Sequence, residues 1–343
     1  MSHALVTGGA GFIGANLAAR LLADGREVVI YDDLSRAHSA ANVAWLRERH
    51  GPDSFRLEVA DVADRDRLTD VVDGAAEVFH LAGQVAVTHS VDDPMLDFRS
   101  NMVGTMHLLE AVRTAASDPI VVFASTNKVY GELGHEPELQ PTRYVLPDLP
   151  GGVPEEQPLQ FSTPYGCSKG AADQYVLDYA KTFGVRSVVF RQSCIYGPRQ
   201  FGGEEQGWVA WLLLAGLRGD PITIYGDGRQ VRDVLHVDDL LDAYLLAVDN
   251  IDVAAGHAFN IGGGPDHTLS VWTEFGPKIE QLVGHPVPVT FGDWRPSDQR
   301  VYVSDITKAS ALLGWRPRVG VDEGITRLHD WLLSESELVS RSE

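Results

Sequence analysis

The chain contains very little cysteine. Cys167 and Cys194 are the only two among 343 residues, which is too few for a disulfide framework. A cysteine beside an apolar strand is more often a packing residue than a nucleophile, so we expect both to be free thiols. This composition is compatible with a reducing cytoplasm, where we expect the protein to be located.

Long hydrophobic runs are also missing. The longest apolar run, residues 208–217, is far too short to cross a bilayer. The first residues run directly into a strand-like pattern without a basic segment, a long apolar core or a cleavage site. We therefore expect neither a signal peptide nor a membrane partner.

Basic side chains are scarce relative to acidic ones. Lysine and arginine number 28 against 48 aspartates and glutamates, which gives a formal net charge of −20 at pH 7. Such a charge repels nucleic acid and anionic lipid, so we expect no nucleic-acid partner, and an anionic substrate would need a local cluster of arginines. His80, His89, His236 and His257 show no paired ligand spacing, so we expect no metal.

What the chain does contain is a regular alternation of short, β-rich apolar runs and helix-compatible stretches. The runs lie at residues 4–7, 27–31, 55–59, 77–81, 120–124, 187–191 and 258–262. This alternation predicts parallel strands joined by helical crossovers. We expect an α/β fold with a Rossmann-type doubly wound parallel sheet and a smaller, discontinuous C-terminal substrate domain.

A glycine-rich turn follows the first predicted strand. Residues 7–14 read TGGAGFIG and lead into a predicted helix over residues 13–22. Gly8 permits the tight bend, Gly11 lets the backbone approach a pyrophosphate, and Gly14 allows the helix to pack closely on the strand. The helix N-terminus, at Phe12 and Ile13, offers amides to the phosphates. This turn predicts a bound dinucleotide.

The end of the second predicted strand carries the matching acidic residue. Asp32, with Asp33 beside it, follows the glycine turn by about 20 residues. A carboxylate there binds ribose hydroxyls and repels a 2′-phosphate, which favours NAD over NADP. Arg36 lies close behind and is the one feature that could accommodate that phosphate.

Tyr165 and Lys169 are four residues apart in a predicted helix, so they share one face. A tyrosine that acts as a base near neutral pH needs a pKa about three below its reference value, a difference of roughly 4 kcal/mol. The Lys169 ammonium and a positively charged nicotinamide favour the phenolate, and Thr126 can hydrogen-bond the reacting oxygen. Together with the glycine turn, the pair predicts carbon–oxygen redox chemistry.

The distribution of residues also predicts domain boundaries. Residues 203–228 and the region after Gly264 are rich in tryptophan, glycine and proline. We expect an NAD-binding domain from residues 1–193 plus about 232–265, and a nucleotide-sugar-binding domain from about 194–231 plus 266–343.

Residues 131–164 contain seven prolines, which excludes a regular helix or central strand. We expect a long loop there, either functional or a surface excursion.

These motifs resemble those of the extended short-chain dehydrogenases/reductases, in the group of nucleotide-sugar epimerases and dehydratases, over nearly the whole chain. The resemblance implies catalytic roles for Thr126, Tyr165 and Lys169, and a homodimer. It implies further cofactor contacts at Asp61, Val62, Leu81, Ala82, Gly83, Asn101, Tyr165 and Lys169. It places the nucleotide diphosphate at Tyr225-Gly226-Asp227-Gly228, Arg232-Asp233 and Arg295-Pro296-Ser297-Asp298.

The residues after Thr126 bear on the type of reaction. Dehydratases of this group carry Asp-Glu directly after the active-site threonine, whereas this chain has Asn127 and Lys128. The loss of that acid and base argues against dehydration and favours reversible oxidation followed by reduction. Residues 125–131, 165–172, 191–197 and 206–211, with the proline-rich insertion, resemble the CDP-tyvelose (CDP-paratose) 2-epimerase subgroup.

The resemblance to that subgroup implies inversion at carbon 2 of a CDP-sugar of the CDP-paratose, CDP-tyvelose or CDP-glucose type. Tyr165 would take the hydroxyl proton as hydride leaves for a tightly bound NAD, and the keto sugar would turn before hydride returns to its opposite face. We expect sugar contacts from Gln84, Thr126, Asn127, Lys128, Gln192 and Ser193. For the nucleotide diphosphate we expect contacts from Tyr225, Arg232, Arg295 and Asp298.

The arginines in this set suit a diphosphate because a guanidinium can donate two hydrogen bonds to one phosphate. Surface ion pairing with nearby acids is the alternative for each of them.

Other functions stay open at this point. A 4-epimerase of a UDP-, CDP- or GDP-hexose would use the same Thr126, Tyr165 and Lys169 with another orientation of the sugar. A non-catalytic NAD-binding regulator need not retain the tyrosine and lysine, so their presence counts against it. A simple dehydrogenase would release reduced cofactor, and NADH would accumulate during turnover.

Overall fold

Short strands and helices alternate along the chain, and the computed structural model describes residues 2–295 and 298–335. The strands are β1 (His3–Thr7), β2 (Val28–Asp32), β3 (Arg56–Val59), β4 (Ala75–His80), β5 (Ile120–Thr126), β6 (Glu138–Leu139), β7 (Tyr144–Val145), β8 (Ser187–Gln192), β9 (Cys194–Tyr196), β10 (Ile222–Tyr225), β11 (Val231–His236), β12 (Ala258–Ile261), β13 (Thr268–Ser270), β14 (Val289–Gly292) and β15 (Val301–Tyr302).

The helices are α1 (Phe12–Ala23), α2 (Ser39–His50), α3 (Arg65–Val72), α4 (Val87–Asp92), α5 (Pro94–Phe98), α6 (Gly104–Thr114), α7 (Thr163–Phe183), α8 (Trp208–Arg218), α9 (Val237–Asp249), α10 (Ile251–Ala254), α11 (Phe275–Val283), α12 (Thr307–Leu313) and α13 (Val321–Ser334). A π-helical turn at Arg99–Val103 leads into α6, and a 3-10 helix at Asn127–Tyr130 follows β5.

Seven of these strands form one parallel sheet in the order β12-β8-β5-β4-β1-β2-β3. The chain starts near the centre with β1, builds outwards to β3, and returns to the other side of β1 with β4. The order therefore reverses between β1 and β4. Doubly wound sheets bind their ligands beside the carboxyl ends of the strands at such a switch point.

The Rossmann-type α/β fold expected from the sequence is confirmed. Each of the seven apolar runs forms a strand of this sheet, and the expected helix over residues 13–22 is α1. The central strands are almost continuously apolar because helices cover both faces. Helices α1, α2, α9 and α12 pack on one face, and α3, α6 and α7 pack on the other.

A further hydrophobic cluster lies outside the sheet and is built from α8, α11, α13 and β10. Val234, expected in the NAD-binding part, packs into this cluster, whereas Trp315, expected in the second part, packs against the large sheet. The exact domain boundaries stay a prediction. The small sheet of β9, β11, β13 and β15 joins the two regions.

The proline-rich segment 131–164 contains more structure than the loop expected from the sequence. Strands β6 and β7 pair as a short antiparallel hairpin, and the segment's last two residues belong to α7. Arg143 anchors the hairpin by donating to Glu274 at 2.7 Å and to Thr268 at 2.8 Å. The Tyr144 hydroxyl donates to Asp227 at 2.8 Å. The segment therefore packs against the elements that follow β9.

The two cysteines form no disulfide, and the longest apolar run is a packed helix of the folded chain. Cys167 is exposed, Cys194 is half-buried, and both are free, while the cytoplasmic location stays a prediction. The apolar run forms α8, whose side chains pack into the cluster outside the sheet. Across residues 2–295 and 298–335, no helix has both the length and the apolar character needed to span a bilayer.

A buried ion pair joins α7 to the sheet. Arg191 on β8 donates from Nε to Asp173 Oδ2 at 3.0 Å and from a terminal nitrogen to Oδ1 at 2.9 Å. The side chain of Asp173 is fully buried and that of Arg191 is 5% exposed. The hydroxyl of Ser125 on β5 also donates to Asp173, at 2.7 Å. One carboxylate therefore ties the helix that carries Tyr165 to two neighbouring strands.

We expect Asp173→Asn to lower the free energy of unfolding by about 3–5 kcal/mol, because it leaves the Arg191 charge buried without a counter-charge. Urea denaturation measures this change. Glu323→Gln is the matched control, since it neutralises one carboxylate of an exposed helical pair with Arg327 and should alter stability by less than about 1 kcal/mol. Equal effects of the two substitutions would contradict the role given to Asp173.

Candidate active site

The glycine turn connects β1 to α1 beside the switch point of the sheet. Gly8 has a φ of +68°, and a Cβ added there would lie 2.7 Å from the amide nitrogen of Ala82. A Cβ on Gly14 would lie 2.2 Å from the carbonyl oxygen of Gly8. Gly11 is the N-cap of α1 and provides no side-chain cap. The turn therefore excludes side chains and leaves the N-terminus of α1 open, a cradle that fits a pyrophosphate.

Asp32, at the end of β2, anchors the glycine turn by a side-chain hydrogen bond to its backbone. Its carboxylate accepts the amide of Ala10 at 3.0 Å and that of Leu34 at 2.9 Å. Desolvation raises the pKa of Asp32 above its ordinary value, and these two backbone bonds oppose the rise. Asp33 instead caps the backbone of Ser35 at 2.9 Å. Asp32, rather than Asp33, is therefore integrated into the cradle.

Asp61 and Val62 lie after β3 and against the beginning of α6. The Tyr31 hydroxyl donates to the Asp61 carbonyl at 2.8 Å, and the Asp61 carboxylate pairs with Arg99 at 2.8 Å. A Cβ on Gly104 would lie 2.6 Å from the Val62 side chain. These contacts fix the segment in which the family resemblance implies a cofactor contact.

Leu81, Ala82 and Gly83 follow β4, on the opposite side of the switch point. A Cβ on Gly83 would lie 2.5 Å from Oδ1 of Asn101, a residue of the π-helical turn. The Asn101 amide donates at 3.1 Å to both Asp97 and Ser168. Its buried Oδ1 has no hydrogen-bond partner among the described residues. A buried acceptor of this kind fits a donor on a bound dinucleotide.

Thr126, Tyr165 and Lys169 come together at the carboxyl end of β5. All three residues are buried, and the Thr126 side chain lies near enough to the Tyr165 phenol to oppose the rise in its pKa. Tyr165 and Lys169 lie one turn apart on α7. The Lys169 ammonium donates to the carbonyl of Ala124 and lies 4.5 Å from the ring centroid of Phe123. The structure thus brings the three predicted catalytic side chains to one place.

The first turn of α7 fixes the backbone of Tyr165. Thr163 has a φ of +64°, a strained conformation for a β-branched residue. Its hydroxyl accepts the amide of Gly166 at 3.3 Å, and the hydroxyl of Ser90 on α4 accepts the amide of Tyr165 at 3.1 Å. Strained residues of this kind often mark functional sites.

Burial acts in opposite directions on the two ionisable groups. Desolvation raises the pKa of Tyr165 to about 12, the Thr126 side chain opposes this rise, and the charge of Asp97 adds to it. Desolvation lowers the pKa of Lys169 to about 8, and the charges of Asp173 and Asp97 oppose the fall. Near neutral pH the protein alone therefore holds Tyr165 as a phenol and Lys169 largely as an ammonium. A proton-accepting Tyr165 needs further positive charge beside it.

Sequence reasoning missed two acidic residues beneath this pair. Asp97 on α5 is fully buried and accepts hydrogen bonds from Ser168 and Asn101, and Asp173 is the carboxylate paired with Arg191. Helical spacing could have found both, because Asp97 precedes Asn101 by four residues and Asp173 follows Lys169 by four. They supply the negative charge that a buried ammonium requires.

Three polar side chains expected at the sugar are already engaged within the protein. The Gln84 amide donates to a backbone carbonyl two residues further on, at 2.6 Å. Gln192 donates to the Tyr244 hydroxyl, and Ser193 donates to the Asp233 carboxylate. These contacts give all three a place in the internal hydrogen-bond network, and contact with a sugar stays a prediction.

Asn127 and Lys128 follow Thr126 in the 3-10 helix. The Asn127 side-chain oxygen lies 3.4 Å from the Thr126 hydroxyl. Lys128 is half-buried, and desolvation lowers its pKa, with a smaller contribution in the same direction from the charge of Arg232 and an opposing one from Asp298. Lys128 therefore brings positive charge from the catalytic end of β5 towards the Arg232 region.

Arg232 is firmly held by its own neighbours. Its guanidinium donates to the Asp298 carboxylate at 2.7 Å and to the Gln299 carbonyl at 2.6 Å. The structure thus brings two predicted diphosphate residues together, but as an ion pair. Pro296 and Ser297, which belong to the same predicted motif as Asp298, lie outside the described residues.

Arg295 and Tyr225 form a second, more open pair. The Arg295 guanidinium lies 4.1 Å from the ring centroid of Tyr225. A terminal nitrogen of Arg295 lies 3.7 Å from a carboxylate oxygen of Glu204 and 3.7 Å from one of Glu205. Sequence reasoning did not single out these glutamates, whose only local signal is their position in the glycine-bounded segment GGEEQG at residues 202–207.

Comparisons with known proteins agree with this arrangement. The sequence model of the family described as GDP-mannose 4,6 dehydratase matches residues 5–328. The CDP-paratose 2-epimerase of Salmonella typhi is 42% identical over 338 residues, which cover 96% of this chain and 99% of the relative. The UDP-glucose 4-epimerase of Mycolicibacterium smegmatis is 36% identical over 334 residues, which cover 97% and 99%.

A solved structure shows the same fold over the whole length. The crystal structure of a double mutant of the dTDP-glucose 4,6-dehydratase DesIV from Streptomyces venezuelae, with NAD bound, superposes with a TM-score of 0.86. It is 27% identical, and the match covers 99% of this chain and 100% of that chain. The crevice described above thus lies in a fold that binds NAD in a solved relative.

We expect Asp97→Asn to lower the pKa of Lys169 below its present value of about 8. The Asp97 carboxylate favours the charged ammonium, so its neutralisation makes Lys169 lose its proton at lower pH. The pKa of Tyr165 should fall as well, because the same charge raises it. NMR of 13C-labelled lysine follows the titration, and Lys169→Met identifies the signal.

Asp92→Asn provides the matched control, because Asp92 is an exposed acid five residues earlier. It should leave the Lys169 titration unchanged. An unchanged Lys169 titration in Asp97→Asn, or an equal shift in both variants, would refute the electrostatic role assigned to Asp97.

Proposed function

This chain belongs to the GDP-mannose 4,6-dehydratase family of extended short-chain dehydrogenases/reductases, and we propose that it is an NAD-dependent epimerase that inverts carbon 2 of a CDP-hexose. The observation that carries the proposal is the buried Tyr165 phenol, which lies beside the buried Thr126 and one helical turn from Lys169. The pair lies beside a crevice whose glycine cradle and unpartnered Asn101 oxygen fit NAD.

The chain's own residues divide the proton chemistry among them. NAD, when bound, supplies the acceptor and donor of a hydride. Thr126 fixes the sugar hydroxyl by a hydrogen bond, and Tyr165 takes its proton and later returns it. A phenol with a pKa of about 12 in the protein alone stays protonated near neutral pH, so the proton is in place to be returned to the more basic alkoxide in the second step. Lys169 keeps positive charge at the crevice, which favours the phenolate in the first step.

Asn127 and Lys128 support epimerisation over dehydration. Dehydratases of this group move protons during elimination with an Asp-Glu pair after the threonine, and neither Asn127 nor Lys128 carries a carboxyl group. Lys128 instead brings a partly desolvated cation towards Arg232. Such a cation suits a phosphate or hydroxyl oxygen of the substrate.

Carbon 2 and the cytidine nucleotide rest on similarity to one relative. The CDP-paratose 2-epimerase is 42% identical across nearly the full length of both chains. The second candidate is a 4-epimerase of a UDP-, CDP- or GDP-hexose, which the 36% identity to a UDP-glucose 4-epimerase favours. The catalytic trio serves either reaction, so the substrate must be decided by experiment.

The central test follows CDP-paratose and CDP-glucose by NMR in deuterated water, with the NAD-loaded protein. We expect inversion at carbon 2 without deuterium uptake there. Tyr165→Phe, which removes only the proton-transferring hydroxyl, should slow turnover by about 10²- to 10⁴-fold. Its NAD content, measured after denaturation, should equal that of the wild type.

Tyr179→Phe is the control, since Tyr179 lies on the same helix and its hydroxyl donates to Glu110 at 2.7 Å. It should turn over at the wild-type rate. Full activity of Tyr165→Phe would remove Tyr165 from the mechanism. Inversion of UDP-glucose at carbon 4, with no change in either CDP-sugar, would replace the proposal by the second candidate.

We further propose that two copies form a homodimer across α4, α5 and α7. These helices pack side by side and carry large apolar side chains that face solvent in the single chain, namely Val91, Met95, Phe98, Tyr175 and Phe183. Clustered exposed apolar groups are typical of an interaction surface. A two-fold axis would let the same surface meet itself.

Met95→Glu combined with Tyr175→Glu should therefore raise the dimer dissociation constant by about 100-fold or more, because like charges would meet across the axis. Sedimentation velocity measures the change. Val253→Glu is the control, since Val253 is also an exposed apolar residue but lies on α10. A monomeric wild type, or equal dissociation of the control, would overturn this proposal.

A further inference from the structure

The segment between β9 and α8 ends in a tight acidic turn, residues 202–207 with the sequence GGEEQG. Two backbone hydrogen bonds between Gly203 and Gln206, at 2.9 and 3.0 Å, close the turn. Gly207 has a φ of +77°, which lets the chain enter α8 directly. The side chains of Glu204 and Glu205 occupy the tip of this acidic turn.

The tip of the acidic turn rests on the pair formed by Arg295 and Tyr225. The Tyr225 hydroxyl donates to Glu204 at 2.9 Å. Both glutamates lie 3.7 Å from the same terminal nitrogen of Arg295. We call the Arg295 guanidinium and the Tyr225 hydroxyl the anion seat, because both present donors: the hydroxyl is bonded to Glu204, and the guanidinium lies within ion-pair distance of both carboxylates.

The other end of the acidic turn contacts the cofactor side of the molecule. Gln206 accepts a hydrogen bond from Arg36 at 3.0 Å. The positive charge of Arg36 opposes the rise in the pKa of both Asp32 and Tyr165. The acidic turn therefore bridges the cofactor crevice and the anion seat, which holds its glutamates in position.

The two predicted diphosphate arginines differ in how strongly they are held. Arg232 is 7% exposed and donates to Asp298 at 2.7 Å, with a further bond to a backbone carbonyl. The side chain of Arg295 is 34% exposed, and its carboxylate partners are farther away and more exposed than it is. Open, long ion pairs of this kind contribute little free energy. Arg295 is thus the arginine whose carboxylate partners a ligand can displace.

We propose that Glu204 and Glu205 are a built-in competitor for the substrate's diphosphate, and that they set the protein's preference among nucleotides. Their carboxylates fill the anion seat in the free enzyme, and a nucleoside diphosphate displaces them. A diphosphate outcompetes two loosely held carboxylates because it offers several oxygens to one guanidinium. A nucleoside monophosphate has fewer oxygens with which to reach the anion seat, so its binding depends less on these glutamates, which therefore reduce the difference in affinity between the two nucleotides.

This inference rests on the proposed function in one respect, namely that a nucleoside diphosphate binds near Arg295. It adds that binding is weakened by the chain's own acids. In a protein with a net charge of −20, a cationic pocket that is neutralised when empty also avoids capturing unrelated anions.

The test is isothermal titration of the NAD-loaded protein with CDP, UDP and CMP. The double variant Glu204→Gln/Glu205→Gln removes the charges and keeps the side-chain size. We expect its dissociation constant for CDP to fall by about 3- to 10-fold, and that for CMP to fall less. The ratio between the CMP and CDP dissociation constants should therefore increase.

The matched control is Glu27→Gln/Glu48→Gln, which removes the same charge from two exposed glutamates. Glu27 precedes β2, at the edge of the sheet opposite the cofactor crevice, and Glu48 lies on α2. This control should leave both dissociation constants within about twofold of the wild type, because exposed charges farther away than a Debye length are screened.

The outcomes separate this inference from the proposed function. If the wild type binds CDP or UDP and the double variant binds no tighter than the control, the inference is wrong and the function stands. If the wild type binds neither nucleotide but the double variant does, the competitor role is supported. If neither protein binds either nucleotide, both the inference and the proposed function fail.

Discussion

The burial of Tyr165 and Lys169 on one face of α7 is the constraint on which the rest of the site depends. Removing an ammonium from water is costly unless counter-charges lie close. Asp97 and Asp173 provide them from two directions, and each is held by its own hydrogen bonds to Ser168 or Ser125. Asp173 in turn is paired with Arg191 on the neighbouring strand. Helix α7 is thus fixed to the sheet by the same charges that set the protonation of the pair.

The sequence is sufficient for much of the fold because parallel strands are buried on both faces and read as continuous apolar runs. The glycine turn can also be predicted from the sequence, because the backbone around Gly8 and Gly14 leaves no room for a side chain at either position. The hairpin inside the proline-rich segment escaped prediction because it depends on distant partners, such as Glu274 for Arg143. Likewise, no local pattern shows that Gln84 turns its amide to the backbone of Ala86.

The distribution of charge around the nucleotide region follows one pattern. Arg232 pairs with Asp298, and Arg295 lies near Glu204 and Glu205. Lys128 adds a cation whose pKa burial lowers. The family resemblance predicted the arginines as phosphate contacts, but their carboxylate partners come from segments far away in sequence. In this strongly acidic protein, a phosphate can therefore bind these arginines only where it displaces their carboxylate partners.

The central claim is that carbon 2 of the sugar is oxidised and reduced within one catalytic cycle. The most direct measurement uses CDP-glucose or CDP-paratose carrying deuterium at carbon 2, in ordinary water, and follows the label by NMR and mass spectrometry. The account predicts that the inverted product keeps the deuterium at carbon 2 and that turnover is slower than with the unlabelled sugar. Loss of the label to solvent during inversion would show that the carbon exchanges a proton instead, and would contradict the account.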